Sequence, residues 1–352
     1  MHDSSHWLPA QNAARPFFAG IDLGGTNIKV GLVDNAGRTL AFHTEPTHVS
    51  RGPEDAACRM GRAVHSVADL AGIAPAEIAS VGLGTPGPQD IPTGVIIRAG
   101  NLPGWDGFAI RDRVAHHCGL PVTYANDANA AAYGEFWVGS GPDYSSLLLL
   151  TLGTGVGGGI VIGNEALEGA HSHASECGHI IVDPAPSARK CPCGHTGHLE
   201  AYASATALKC RAREALDSGA GRAGPLATAV AGGEELTPIL IASAAAAGDT
   251  LALDIILESA RWLGIGLVSL MHTIDPAAVV IGGAMTFGGE QAPIGRAFLE
   301  RVRQEVRLRA LPTLAAQTPI RFAMLGGNAG SIGAAGLARA SLQNSSPAMP
   351  AA

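Results

Sequence analysis

The chain is poor in charge and in aromatic rings: 15% of its 352 residues are Asp, Glu, Lys or Arg, and 5% are Phe, Trp or Tyr. Because 47% of the residues are hydrophobic, this shortage excludes a disordered chain, and the length allows a large core shared between two lobes. The formal net charge is −7, and no basic block occurs beyond the arginines scattered from Arg301 to Arg309. A general binder of nucleic-acid backbones is thereby excluded, and any anion must be held locally. Cysteine is also sparse, at six residues, with Cys191 and Cys193 too close together to bridge comfortably. The expectation is no disulfide framework and a reducing, cytoplasmic setting. The first 16 residues lack the basic start and apolar core of a secretory signal. No Gly-rich turn leads into Lys-Ser or Lys-Thr, so there is no P-loop, and GTGVGG at 153–158 lacks the spacing of a dinucleotide fingerprint.

Glycine, by contrast, is abundant at 47 residues, clustered between short apolar runs, which points to tight turns and close backbone approaches. FFAGIDLGGTNIKVGLV, from Phe17 to Val33, reads as strand, Gly-Gly-Thr turn, strand. The uncharged run from Tyr144 to Asn164, 21 residues, is long enough to be weighed as a membrane span. The five glycines in LGTGVGGG favour strand, turn, strand there too. The two tips, DLGGTN and TLGTGVGGG, resemble one another and suggest an internal duplication. Each alone reads sooner as an ordinary hairpin turn. Together, their glycines would let N–H groups approach an anion, with Thr26 and Thr154 adding hydroxyls, and the pair suits one triphosphate.

Between the hairpins, residues 54–72 have helix-forming composition, VGLGTPG at 81–87 reads as a buried strand ending in a turn, and Asn101 sits in the loop AGNLPGWDGF. A helix is expected from Ile110 to Cys118, and a strand-to-helix junction at Asn126-Asp127. Asp127 has two readings there, a helix N-cap or a general base aimed into a cleft. The stretch from Glu176 to Glu200 holds His179, Cys191, Cys193 and His198, donors suited to tetrahedral zinc, although buried thiols beside surface histidines would read the same way. Residues 203–218 and 238–273 are helical by pattern, the second punctuated by Pro238 and Gly248. A strand in 275–289 ends in Gly282-Gly283, either a plain strand end or a bare surface for a base or ribose. A last strand near Pro319 to Met324, a terminal helix and a frayed tail complete the chain.

In this order, DLGGT at 22–26, NLPGW at 101–105, Asn126-Asp127, GTGVGGG at 153–159, ExGH at 176–179 and CxCGxxGxxE from Cys191 to Glu200 resemble the ROK family of bacterial sugar kinases and sugar-responsive repressors. The resemblance covers about 17–340 and is nearest in flavour to ATP-dependent glucokinases. It implies an α/β, two-lobed actin-like (ribonuclease H-like) ATPase fold with duplicated hairpin tips and a zinc-braced sugar site. Its parts would be a polar leader at 1–16, a small lobe at 17–124 completed by a C-terminal helix at about 326–340, a large lobe at 125–325 and a tail at 341–352. By the same resemblance Asp127 is the base and Asp22 lies near Mg2+ and the phosphates. Gly24, Gly25, Thr26, Gly153, Thr154 and Gly155 hold ATP, with Gly282 and Gly283 beside it. The sugar meets Gly87, Asn101, Asn126, Asp127, Glu176, His179 and Glu200.

The family usually has cysteine where this chain has His198, so the implied structural zinc set becomes His179, Cys191, Cys193 and His198, with Cys177 and His195 as nearby substitutes. One ring nitrogen of His179 would bind zinc and the other face the sugar. A substitution at Gly155 is expected to crowd nucleotide and spare sugar. The implied function is hexose phosphorylation, with glucose first and N-acetylglucosamine, N-acetylmannosamine, mannose or fructose as rivals. Polyphosphate is a rival donor, and a homodimer without membrane or nucleic-acid partners is the expected assembly. A non-enzymatic repressor is disfavoured because some 20 residues before Asp22 are too few for a winged helix-turn-helix. A zinc-ribbon module is disfavoured by the absence of paired CxxC knuckles.

Overall fold

A computed structural model describes residues 7–219 and 224–345. Residues 1–6 of the expected leader and 346–352 of the expected tail lie outside the described residues. In chain order the elements are β1 (Phe17–Leu23), β2 (Asn27–Val33), β3 (Thr39–Pro46), α1 (Pro53–Ala71), β4 (Ile78–Thr85), β5 (Gln89–Asp90), β6 (Val95–Ile96), α2 (Ile110–Cys118), β7 (Val122–Asn126) and α3 (Asp127–Val138). There follow β8 (Ser146–Leu152), β9 (Val156–Ile162), β10 (Glu165–Ala166), α4 (Glu200–Ala203), α5 (Ala205–Asp217), α6 (Pro225–Ala231), α7 (Pro238–Ala246) and α8 (Thr250–Ile274). The chain ends with β11 (Ala278–Gly283), α9 (Pro293–Arg309), α10 (Pro312–Gln317), β12 (Ile320–Phe322) and α11 (Ala329–Ser345). Two five-stranded sheets run in the orders β3-β2-β1-β4-β7 and β10-β9-β8-β11-β12. The run from Tyr144 to Asn164 is thus strand, turn, strand, and no described helix is long and apolar enough to cross a membrane.

The chain separates into two compact units, one of residues 1–147, 159–175 and 324–352, the other of 148–158 and 176–323. In the first unit β1 and β2 pair antiparallel, as do β2 and β3, whereas β1, β4 and β7 run parallel. β1 is buried along nearly its whole length, as a central strand covered on both faces must be. Ile21, Leu23, Ile28 and Val30 share a core with Met60 and Val64 of α1. That helix begins with Pro53 and the acids Glu54 and Asp55, and stops at Gly72, whose φ of +71° is left-handed.

α11 lies almost on the backbone of the sheet. A Cβ added to Gly20 of β1 would overlap the Ser331 carbonyl, and one added to Gly82 of β4 would overlap that of Ala334. The same closeness joins α11 to α3: a Cβ on Gly134 would strike the Ala329 carbonyl, and one on Gly333 the Ala130 carbonyl. Glu135, on the next turn of α3, is fully buried. Its carboxylate accepts from the N–H groups of Met324 and Leu325, at 3.2 and 2.7 Å, and from the N–H and hydroxyl of Ser140. These contacts place α3 in the first unit, so the boundary falls at 147/148 and not at the 124/125 expected from sequence. The helix also continues through 341–345, where a frayed tail was expected.

In the second unit the expected helix over 203–218 is broken at Ser204, whose hydroxyl oxygen accepts from the Ala207 N–H at 3.1 Å and starts α5 after the single turn of α4. The expected helix over 238–273 breaks at Gly248, φ +92°, with Thr237 and Asp249 capping α7 and α8. The short helices α6 and α10 were not anticipated.

Gly333→Ala is therefore expected to destabilise the protein by about 1–3 kcal/mol, although alanine is the better helix former. Urea unfolding measures it, and an unchanged midpoint would mean that α3 and α11 separate readily.

Candidate functional site

In the first unit the candidate residues gather at the carboxyl ends of the parallel strands β1, β4 and β7, the edge where open α/β sheets bind ligands. Asp22 ends β1. Burial raises its pKa, opposed by the Lys29 ammonium, which stands 3.6 Å from Oδ2 and donates to the Gly327 carbonyl at 2.8 Å. A carboxylate held this way favours a cation beside it. The turn after β1 is fixed by Thr47: its hydroxyl donates to the Gly24 carbonyl at 2.6 Å, and its N–H to the Thr26 carbonyl at 2.8 Å. The Gly24 and Thr26 carbonyls are thereby engaged with the protein. A Cβ on Gly25 would sit 3.0 Å from the Asn101 carbonyl oxygen, so the turn abuts the Asn101 loop. Gly87 has φ +83°, and its bare face lies against Arg98 and Ala99, two residues before Asn101.

At the end of β7 the helix cap is Asn126 and not Asp127. Asn126 Oδ1 accepts from the N–H groups of Ala128 and Asn129 at 2.9 and 3.3 Å. Asp127 is the first helical residue, its Oδ1 2.8 Å from the Ala128 N–H. The cap reading of Asp127 is thereby corrected: the sequence offered two good capping residues, and the upstream one has the extended backbone that an N-cap requires. Gly84 at the end of β4 has no side chain, and a Cβ there would lie 3.5 Å from the Asp127 Cα. Below, the Tyr124 hydroxyl meets Thr85 Oγ1 at 2.8 Å. Burial raises the tyrosine pKa, and the charge of Asp127 adds to the rise.

In the second unit the turn from Gly153 to Val156 is tied to α5, with Ala205 N–H donating to the Gly153 carbonyl at 2.9 Å and Thr206 Oγ1 to that of Thr154 at 2.8 Å. The Val156 N–H donates to Glu200 Oε2 at 3.0 Å. A Cβ on Gly155 would overlap that same oxygen, which revises the expectation that a substitution there spares the sugar-side residues: it strikes Glu200 first. At Gly283, φ +89°, the bare face is filled by the Leu152 backbone, and at Gly282 by Ala323. Packing accounts for the absence of a side chain at both positions.

His179, Cys191, Cys193 and His198 converge, each giving one donor atom, and these atoms all lie within 4.8 Å of one another. The turn is closed by Cys191 N–H donating to the His195 carbonyl at 2.7 Å and Gly194 N–H to that of Cys191 at 2.9 Å, with Gly194 at φ +100°. A bridge between Ile181 and His198 brings the fourth donor back. Nδ1 of His179 and of His198 are 3.3 Å apart, Cys193 Sγ is 3.3 Å from His198 Nδ1, and Cys191 Sγ is 3.9 Å from His179 Nδ1. Burial pushes the Cys191 thiol up to about 12 and lowers His198, the charges of His179 and His195 adding to the latter. Cys177 and His195 lie outside the group of four. The other nitrogen of His179, Nε2, faces Glu176 Oε2 at 3.8 Å.

Sequence reading missed Lys29, Thr47, Tyr124 and Thr206. Lys29 left a signal, being the one charge within the apolar strand IKVGLV. The others are ordinary residue types whose role arises only from the fold.

A model of the ROK family matches residues 18–341. The chain belongs to the ROK family. It is 35% identical over 317 residues, 90% of this chain and 93% of the relative, to a glucokinase of Halalkalibacterium halodurans. The fold matches a ROK hexokinase from Thermus thermophilus with a TM-score of 0.76 at 34% identity, over 93% of this chain and 99% of that one. It also matches a ROK family glucokinase from Streptomyces griseus solved with glucose and AMPPNP, with a TM-score of 0.74 at 34% identity over 92% of this chain and 99% of that one. The two-sheet α/β fold implied by the motifs is thus the fold of ROK sugar kinases.

Because Asn126 carries the cap, Asn126→Ala is expected to cost about 1 kcal/mol of stability. Asp127→Asn should leave the unfolding midpoint nearly unchanged, and the reverse ranking in denaturant titrations would restore Asp127 as the cap.

Proposed function

We propose that this ROK protein phosphorylates a hexose with ATP, glucose at its 6-hydroxyl being the preferred acceptor. The observation that carries the proposal is the likeness, over 92% of the chain, to a glucokinase solved with glucose and AMPPNP. In this reading Asn101, Asn126, Asp127, Glu176, His179, Glu200 and the residues near Gly87 meet the sugar. Amides and carboxylates suit a polyol, each of whose hydroxyls needs a directional partner. They also repel acidic substrates.

Phosphoryl transfer proceeds through a loose, in-line transition state, so positioning and charge neutralisation outweigh a strong base. Asp127 receives the proton of the attacking hydroxyl late in the transfer. The turn at 24–26, with the Gly24 and Thr26 carbonyls turned toward Thr47, and the turn at 153–155, with the Gly153 and Thr154 carbonyls turned toward α5, are the elements that would hold the phosphates of ATP. Asp22, whose burial calls for a neighbouring cation, would stand beside Mg2+, which neutralises the charge of the transferring group.

The four-donor group fits zinc. Bonds of about 2.0–2.3 Å in a tetrahedron require donor separations of roughly 3.3–3.8 Å; three donor pairs lie at 3.3, 3.3 and 3.9 Å and all are within 4.8 Å. His179 and His198 would bind through Nδ1, Cys191 and Cys193 as thiolates, and the ion would act as a structural brace. His179 Nε2 would then carry the proton and donate to a sugar hydroxyl. A homodimer in the cytoplasm completes the reading, the assembly being checked by light scattering.

The test is a panel of glucose, mannose, fructose, N-acetylglucosamine and N-acetylmannosamine against ATP and polyphosphate. Glucose with ATP is expected to give the highest kcat/KM, and no turnover on any pair would defeat the proposal. Asp127→Asn should fold normally and lose ~10²- to 10⁴-fold in kcat, with sugar affinity falling much less. Elemental analysis should find one zinc per chain. His198→Ala should lose it and raise the sugar KM by ~10- to 100-fold, while His198→Cys should keep it. Metal retained in His198→Ala but lost in His195→Ala or Cys177→Ala would overturn the ligand assignment.

A further inference from the structure

The backbone of Val156, at the end of the 153–156 turn, is held on one side by Glu200 and on the other by Gly178, which lies between Glu176 and His179. Its N–H donates to Glu200 Oε2 at 3.0 Å. Its carbonyl lies against Gly178, where a Cβ would overlap the oxygen, so the Glu176–His179 segment closes over the turn. Glu200 Oε1 accepts from Cys191 Sγ at 3.5 Å. Position 155 is bare where a side chain would displace the Glu200 carboxylate. Two residues past α4, which Glu200 begins, Ala205 and Thr206 take the carbonyls of Gly153 and Thr154.

A carboxylate that served only a sugar would have no need of this arrangement. We infer that Glu200 is a positioning residue for the phosphate-binding turn as well as a sugar ligand, and that Gly155 is glycine to admit the Glu200 carboxylate. This rests on the hexose kinase reading. The bond from Val156 sets the orientation of the peptide next to the turn, and a charged acceptor makes that bond one of the stronger kind. Nucleotide binding thus depends on Glu200 when no sugar is present, and sugar binding depends on Gly155 when no nucleotide is present.

The experiment is calorimetry on the full chain with AMPPNP and Mg2+ alone, and with glucose alone. Glu200→Ala is expected to weaken AMPPNP binding by ~10-fold or more without glucose. Glu200→Gln, whose amide oxygen accepts the same N–H, should stay within ~3-fold of the parent for AMPPNP while still losing glucose affinity. Gly155→Ala should weaken glucose binding by ~10-fold or more without nucleotide. If Glu200→Ala misfolds, Gly155→Ala decides alone on glucose. Parent-like AMPPNP affinity in a folded Glu200→Ala, or parent-like glucose affinity in Gly155→Ala, overturns the inference and leaves the kinase reading standing. A parent protein that binds neither ligand removes the kinase reading, and the inference with it.

Discussion

The close approach of α11 to the sheet of the first unit is the constraint on which that unit's site depends. Four glycines, Gly20, Gly82, Gly134 and Gly333, lie where any side chain would collide with backbone. Backbone packed directly on backbone leaves little freedom for sliding, because interiors transmit displacement instead of absorbing it. The ends of β1, β4 and β7, and α3 that follows β7, are held in mutual register by one helix. Asp22, Gly87 and Asp127 therefore sit on a frame whose spacing was settled far from them in sequence.

In the second unit the organising group is a carboxylate. Glu200 connects the four-donor cluster through Cys191 with the turn at 153–156 through Val156. Three of the four donors lie within eight residues of chain, from Cys191 to His198. Left-handed Gly194 permits the tight turn that brings them together. A buried Cys191 thiol of raised pKa and a His198 of lowered pKa are the state in which such donors await a cation, which would reverse the thiol preference.

Much of this was legible in the sequence, and the reasons are physical. The hairpin from Phe17 to Val33, the helix from Ile110 to Cys118 and the junction at Asn126-Asp127 declare themselves through alternation, periodicity and turn chemistry, which act over a few residues. The donor group was readable because Cys and His types are rare and closely spaced. Contacts across long separations were not readable. That Asn126 and not Asp127 caps α3 turns on backbone dihedrals, and both residue types cap well. That Gly155 serves Glu200 joins positions 45 residues apart, and that α3 groups with the first unit follows from a helix that begins 191 residues after it ends. Glycine announces a close approach without saying to what.

The helix that covers the first unit's sheet is made about 200 residues after the strands it covers. The strands of residues 17–126 emerge first, yet the bare glycine faces of β1 and β4 meet their cover only when residues 329–345 have been released. Chains tend to fold domain by domain from the amino end, and here that order is unavailable to the unit that comes first. The residues of 148–158 and 176–323 are synthesised in between, so the nascent chain must keep that uncovered apolar face from other molecules until α11 has emerged.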